Sequence, residues 1–415
     1  MAVVKPFRGY RPVKKLAHLI ASRPYDVINS DEARLEAEGN PNTFLHVVKP
    51  EIDLPDDTDH YSDIVYATGK KNLERLIKDG IFFQDPAPVY YVYSQSMWGK
   101  MQYGLMGCAS VSDYMNNIIR KHELTRPDKE EDRKNHIRIT NFNAEPVFFA
   151  YPDNSSIDTI VARVVAGLPE YNFTTPDEVG HTLWLVNDQK DVKEIERIFK
   201  TEVPFTYVAD GHHRTAAAAH VGGERLGKNP VHTGNEEYNY FLAVHFPASQ
   251  LRIIDYNRVV KDLNGLSPEE FIKLVSRQFK VIKKGKDIYK PAKLHEMSMY
   301  IGGIWYALEA NEGTYDDNDP IDCLDVSVLS KTILDPILDI KDLRKSTRID
   351  FIGGIRGLAE LQKRVDSSEM AVAFALYPVT MDQLFKIADT GNIMPPKTTW
   401  FEPKLRSGLV IHNLE

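Results

Sequence analysis

At 415 residues the chain is long enough for two or three hydrophobic cores. Its 51 Lys and Arg against 59 Asp and Glu leave a formal charge of -8, the wrong sign for a protein that holds nucleic acid through its phosphates. Cys108 and Cys323 stand in apolar surroundings and predict reduced thiols in a cytoplasmic protein, not a disulfide framework.

The N-terminus carries Lys5, Arg8, Arg11, Lys14 and Lys15, but the apolar run that follows, Leu16 to Ala21, is too short for a signal peptide and is broken by His18. No stretch approaches a spanning helix, so no membrane partner is expected. An oligomeric state is not written in the sequence, and a homo-oligomer is compatible with it.

Residues 1–100 read as an opening α/β region. Pro24 to Ile28 predicts a short strand, and Asp31 to Glu38 a helix capped by Asn29 or Ser30 and stopped by Gly39. Thr43 to Val48 predicts a strand, Tyr61 to Lys78 a helix closing at Gly80, and Pro88 to Tyr93 a strand. Gln102 to Val111 predicts another strand. A charged helix from Lys129 to Ile139 follows the break at Leu124 to Asp128, its charges expected on a solvated face. His122 and Glu123 fall at the mouth of that break, where a side chain can point into a cleft; a surface ion pair is the alternative for Glu123. Pro146 to Tyr151 predicts a strand, and 157–200 a helix, a strand at Thr182 to Val186, and a helix from Asp188 to Phe199.

Phe205 to Ala209 then predicts a buried strand and Thr215 to His220 an alanine-rich helix, which puts Asp210-Gly211-His212-His213-Arg214 at a strand-to-helix junction. The first turn of a helix has unpartnered N–H groups and the positive end of the peptide dipole, so a phosphate is its natural guest. Gly211 allows close approach, while His212, His213 and Arg214 add donors suited to phosphoryl charge. Asp210 is placed to carry a metal or orient a hydroxyl. The histidines have two other readings, as zinc ligands, for which no further Cys or His pair lies nearby, and as residues of a capping turn.

Strands at Tyr240 to Phe246 and Leu251 to Asp255 complete a mixed α/β unit. Beyond it, Ser267-Pro268-Glu269-Glu270 is a helix start. Strands at Met299 to Ile301, Trp305 to Leu308 and Met370 to Tyr377 alternate with helices at Val326 to Asp335, Gly357 to Val365 and Met381 to Asp389. Gly353-Gly354 before a helix reads as a packing contact or turn more readily than as a phosphate cradle. The tail from Met394 to Ser407, with its prolines, hydroxyls, aromatic pair, Lys397, Lys404 and Arg406, is expected to fold back onto a site.

Three segments carry a resemblance. The strand, Asp210-Gly211-His212-His213-Arg214 and helix, the upstream His122-Glu123, and Pro396-Lys397-Thr398-Thr399 occur in the order found in the ParB/sulfiredoxin superfamily's small-molecule kinase branch, the archaeal-type free L-serine kinases. The whole chain also resembles a bacterial family of unknown function that shares these motifs end to end. The resemblance implies an α/β fold with mixed sheets: a ParB/sulfiredoxin-like catalytic unit over 101–265, with an insertion at about 151–200, flanked by the α/β region 1–100 and a C-terminal α/β domain, 266–415, whose tail returns to the active site.

It implies a phosphotransferase acting on L-serine, or in reverse on phosphoserine, with ATP, ADP or pyrophosphate as donor and Mg²⁺ as cofactor. Glu123 would be the general base with His122 beside it. Asp210 would bind Mg²⁺, Gly211, His212, His213, Arg214 and Thr215 would grip the donor phosphates, and Lys397, Thr398, Thr399, Trp400, Lys404 and Arg406 would line the acceptor. Trp400 stands where the archaeal-type enzymes carry arginine, which would move a contact to Lys404 or Arg406.

Neither a Gly-rich Walker loop nor a protein-kinase motif set is present. A sulfiredoxin-like reductase would need a cysteine where His212 stands. A ParB-like nucleic-acid protein would need a basic chain. A non-catalytic phosphometabolite sensor differs only in activity.

Overall fold

The computed structural model describes residues 1–415 and shows an α/β protein. Its chain forms two compact units, Met1–Leu251 with Pro403–Glu415, and Arg252–Glu402.

The first unit is built on a nine-stranded mixed sheet: Val4–Lys5 (β1), Tyr90–Met97 (β2), Lys100–Ser110 (β3), Ile119–Arg120 (β4), Val147–Tyr151 (β5), Tyr171–Thr174 (β6), Gly180–Val186 (β7), Thr206–Asp210 (β8) and Tyr240–Pro247 (β9). Their order in space is β4-β8-β5-β9-β3-β2-β7-β6, with β1 on β3. β8 runs parallel to β4 and antiparallel to β5, while β9 runs parallel to β5. The runs at Val147–Tyr151 and Phe241–Phe246, apolar but for His245, are buried throughout, as central strands covered on both faces require.

Six longer helices belong to this unit: Ser30–Ala37 (α1), Asp63–Lys78 (α2), Pro127–Thr140 (α3), Ser155–Val165 (α4), Gln189–Glu202 (α5) and His212–Lys228 (α6). Ile157, Ile160, Ile195, Ile198 and Phe199 of α4 and α5 form one core with Tyr90, Val92 and Tyr151. The alanines 216–219 of α6 form another with Phe149, Val208 and Ile137. Side chains this small let the helix axis lie close to the strands.

Three local expectations are corrected. Pro24 to Ile28 is a turn, closed by the Val27 N–H donating to Pro24 O at 3.3 Å, because Pro24 and Asp26 are turn formers and outweigh the short apolar pair. Thr43 to Val48 contains a short helix, Leu45–Val48, whose Leu45, Val47 and Val48 are buried with Leu73 and Leu76 of α2; so short a run suits a strand or a buried helix equally until packing decides. The charged helix α3 does not simply face solvent, since Asp132, Arg133 and His136 are buried.

The last thirteen residues are woven into this unit. Ser407 bridges to Ser22, Ile411 to Tyr10, and His412–Asn413 pairs with Phe142–Asn143. Ile411 joins the core made by Ile28, Phe44, Leu45, Leu73 and Leu76.

The second unit carries a six-stranded antiparallel sheet: Tyr256–Val260 (β10), Phe279–Gly285 (β11), Glu296–Ile301 (β12), Ile304–Ala310 (β13), Ile349–Gly353 (β14) and Val372–Ala375 (β15), in the order β11-β13-β12-β15-β10-β14. Ser267 and Glu270 form the expected reciprocal cap. The glycine pair is a packing contact: a Cβ on Gly353 would lie 2.9 Å from the Trp400 ring, and one on Gly354 2.7 Å from Asp255 Oδ1. No helix of the chain is long and apolar enough to cross a membrane.

Gly408 holds the tail in place at φ +84°, where an added Cβ would stand 2.6 Å from Cγ of fully buried Phe44. Gly408→Ala combines left-handed strain with overpacking, so urea unfolding is expected to lose about 2–4 kcal/mol.

Candidate active site

The junction between β8 and α6 is shaped by two backbone features. The β5 register shifts between Val208 and Asp210, which turns the Asp210 side chain at the strand's end. Gly211 then takes φ +89°, which favours glycine, and a Cβ there would stand 3.1 Å from the Arg214 guanidinium, a tight approach. No side chain caps the first turn of α6, which leaves its open N–H groups facing whatever the corner holds. Thr215 is turned inward, its hydroxyl donating to Gly211 O at 2.9 Å.

His212 is the buried member of the histidine pair. Its Nδ1 lies 3.8 Å from Glu123 Oε2, and its ring meets that of His122 edge to face with centroids 4.5 Å apart. Its Nε2 is buried without a hydrogen-bond partner. Burial lowers the His212 pKa to about 4, opposed by Asp210 and helped by His213 and Lys121. Burial and the charge of His212 likewise push His122 well below the usual imidazole range. His213 faces the loop before α3, its Nε2 accepting from the Arg126 N–H at 3.0 Å, and burial lowers its pKa too. A neutral imidazole offers one donor and one acceptor, so these rings can hold an anion by hydrogen bonds without adding full charges.

Asp210 and Arg214 supply the charge. Arg214 is buried; its Nη1 donates to Pro146 O at 2.7 Å, its Nε has no partner, and its Nη2 lies 3.8 Å from Oδ2 of both Asp210 and Asp26. Asp210 Oδ1 accepts from the Gly211 N–H at 3.0 Å, and Oδ2 pairs with Lys404 Nζ at 3.1 Å. Burial opposes ionisation of Asp210, but Lys404 and Arg214 outweigh it and draw the carboxyl below its usual range.

Lys404 thus arrives at the corner from the tail. Gln95, fully buried on β2, fixes its backbone by donating to Lys404 O at 2.8 Å, and Gln102 in turn donates to Gln95 at 3.1 Å. Arg406, two residues on, is engaged elsewhere: it pairs with Asp177 and donates to Thr175 Oγ1 and His181 Nε2, each at 3.2 Å. Burial and Arg406 lower the His181 pKa to about 3, and Tyr93 Oη lies 2.7 Å from its other nitrogen.

The structure therefore gathers Glu123, His122, Asp210, Gly211, His212, His213, Arg214, Thr215 and Lys404 around one junction. Lys397, Thr398, Thr399 and Trp400 belong to the second unit. There Arg258 Nη2 donates to Lys397 O at 2.9 Å and Thr398 Oγ1 to Pro395 O at 2.6 Å, while Trp400 packs edge to face on Tyr256 at 5.1 Å. Sequence reasoning missed Asp26, Gln95 and Glu145. Gln95 sits in a strand pattern and Asp26 in a turn, with no motif to mark either.

Beneath the corner lies a closed set of charges. Arg133 pairs with Asp132 at 2.8 Å and with Glu145 at 3.3 Å, and its guanidinium covers the Tyr25 ring at 3.9 Å. Glu145 also accepts from the Tyr25 N–H at 3.1 Å and the Ser407 hydroxyl at 3.3 Å. No three His, Cys, Asp or Glu side chains are grouped as a metal cage. Asp210 offers a single carboxylate, which fits Mg²⁺ in the mode where substrate phosphates and water supply the other ligands.

Fold and site together define an α/β protein whose chemistry-bearing side chains meet at one strand-to-helix junction. The chain belongs to the family described as a protein of unknown function, DUF1015, whose profile matches residues 4–327. No curated protein matches it. Among solved structures it is similar to a free serine kinase in complex with AMP, at 13% identity over 77% of this chain and 92% of that one, with a TM-score of 0.37. A conserved hypothetical protein from Pyrococcus furiosus matches at 13% identity over 74% and 95%, TM-score 0.37. SbnI from Staphylococcus aureus, truncated at its C-terminus, matches at 12% identity over 74% and 87%, TM-score 0.37.

Burial lowers the His212 pKa to about 4. Between about 4 and 6.5 the unfolded chain binds a proton on this ring that the folded chain refuses, so stability falls as pH falls through that window. The full effect is about 3 kcal/mol. His212→Gln is expected to flatten the pH dependence of urea unfolding between pH 7 and 4 by that amount, leaving the share owed to the other imidazoles that burial depresses, His122, His136, His181 and His245.

Proposed function

We propose that the protein is a small-molecule phosphotransferase, a kinase for the hydroxyl of free L-serine, with a phosphoanhydride donor: pyrophosphate, ADP or ATP. The observation that carries this reading is the approach of Glu123 Oε2 to within 3.8 Å of His212 Nδ1, which puts a carboxylate from one loop against the phosphate-suited first turn of another element. The order of the His122-Glu123 and Asp210-Gly211-His212-His213-Arg214 motifs supports the same reading.

Phosphoryl transfer demands alignment and charge neutralisation more than covalent help. Glu123 accepts the proton of the acceptor hydroxyl as its oxygen forms a bond to the transferred phosphorus, and the bond from phosphorus to the leaving phosphate or nucleotide oxygen breaks. His212, His213, Arg214 and the first-turn amides of α6 hold the phosphoryl oxygens. Neutral imidazoles suit this role because they donate without tying the anion down as tightly as a full cation would. Lys404, fixed by Gln95, keeps Asp210 ionised and adds a positive charge beside the donor. Mg²⁺, held by Asp210 and the donor's phosphates, would further neutralise them. In the reverse direction the same groups would take phosphate from phosphoserine, with Glu123 returning the proton to the serine oxygen.

A non-catalytic phosphometabolite sensor would use the same cradle but has no need of Glu123 beside it. The test incubates the protein with Mg²⁺ and L-serine against pyrophosphate, ADP and ATP separately, following phosphoserine by phosphorus NMR, and runs phosphoserine in reverse. Turnover with at least one donor is expected, and Glu123→Gln should lower kcat by roughly 10²–10⁴-fold with the fold intact. Unchanged turnover in that variant removes Glu123 from the base role, and no turnover with any donor leaves the sensor.

A further inference from the structure

Among the carboxylates at the corner, Asp26 stands apart. Glu123 is adjacent to the histidines, and Asp210 pairs with Lys404 at 3.1 Å. Asp26 makes no side-chain hydrogen bond; its one ion-pair neighbour is Arg214 at 3.8 Å, and its side chain is 36% exposed. At that distance the pair is a Coulombic neighbour and not a hydrogen bond, so both carboxylate oxygens can still accept.

Asp26 is nonetheless held firmly. It follows Tyr25, whose N–H donates to buried Glu145 at 3.1 Å and whose ring lies 3.9 Å beneath Arg133. The turn closes through Val27 N–H to Pro24 O at 3.3 Å. A carboxylate that is open to solvent, fixed from below and placed on the rim of an anion-suited cradle has the wrong sign to help a donor phosphate. Its own sign selects a cation.

We propose that Asp26 binds the ammonium group of the acceptor and so makes the site specific for an α-amino acid bearing a hydroxyl. The inference rests on the phosphotransferase reading above and adds to it a residue and a selection rule. It gives the turn at 24–28 a function: it brings a carboxylate from the first hundred residues to a junction formed by residues 210–215. Arg214 Nη2 lies 3.8 Å from Oδ2 of both Asp26 and Asp210, so one guanidinium nitrogen neighbours both carboxylates. In this assignment Asp210 and Lys404 serve the donor and Asp26 the acceptor.

The experiment compares L-serine with 3-hydroxypropanoate, which has the same hydroxyl and carboxylate without the ammonium, in the wild type, Asp26→Asn and Asp26→Glu. A charge-assisted hydrogen bond of ordinary strength corresponds to roughly a 10- to 100-fold change in binding. Asp26→Asn should therefore raise KM for serine by about that factor, leave KM for 3-hydroxypropanoate within about twofold, and change kcat little. Asp26→Glu should recover part of the serine KM. Thermal stabilisation by L-serine, read without turnover, should be lost in Asp26→Asn and kept in Asp26→Glu.

Equal losses on both acceptors, or a loss confined to the Mg²⁺ dependence, would overturn the assignment and make Asp26 a support for Arg214 or a metal ligand. Wild-type protein that phosphorylates neither acceptor with any donor would remove the phosphotransferase reading itself, and this inference with it.

Discussion

The site depends on an ion pair that spans 194 positions of sequence, Lys404 with Asp210 at 3.1 Å. Asp210 ends a strand beside a buried arginine and a buried imidazole; a carboxylate left there without a counter-charge would tend to protonate. Lys404 and Arg214 together prevent this, and Lys404 reaches the carboxylate because the tail is held at its own carbonyl and two residues further on. Gln95 grips its carbonyl, and Arg406 is locked among Asp177, Thr175 and His181. Both anchors are buried, so the lysine sits on a rigid support despite lying near the end of the chain.

The buried charges below the corner follow the same logic. Asp132, Arg133 and Glu145 would each be costly alone, but together they form a chain of pairs completed by Tyr66, which donates to Asp132 at 3.0 Å. Such a network is worth little as net stability and much as geometry, because removing any member leaves a buried charge uncompensated. Through Tyr25 and Ser407 it ties the turn carrying Asp26 and the tail carrying Lys404 to one base. The histidines show the complementary solution. Burial keeps the His122 and His212 rings neutral, and His212 Nε2 is buried without a hydrogen-bond partner.

Much of the fold was legible because its signals are local. The capping boxes at Asn29 and Ser267, the left-handed glycines at 39, 80 and 211, and the apolar runs of β5 and β9 each declare their element from a few adjacent residues. Failures occurred where local signals are ambiguous or where partners are remote. Leu45–Val48 has no periodicity long enough to distinguish helix from strand, and its burial against α2 settled it. The charged helix α3 reads as solvated because nothing within it reveals that Arg133 meets Glu145, twelve residues on, beneath the Tyr25 ring.

For the candidate site, the residue types and order of Asp210 to Arg214 predicted a strand-to-helix junction turning at Gly211, and the structure has that junction. The sequence alone therefore determined which chemistry was available and which backbone would present it. Only the tertiary structure decided which distant groups complete that corner: Lys404 and not Arg406 from the tail, Asp26 from a turn with no motif, and Glu145 from below. Backbone conformation is set by neighbours along the chain, whereas ion pairs are set by neighbours in space, and packing alone brings residues 26, 145, 210 and 404 together.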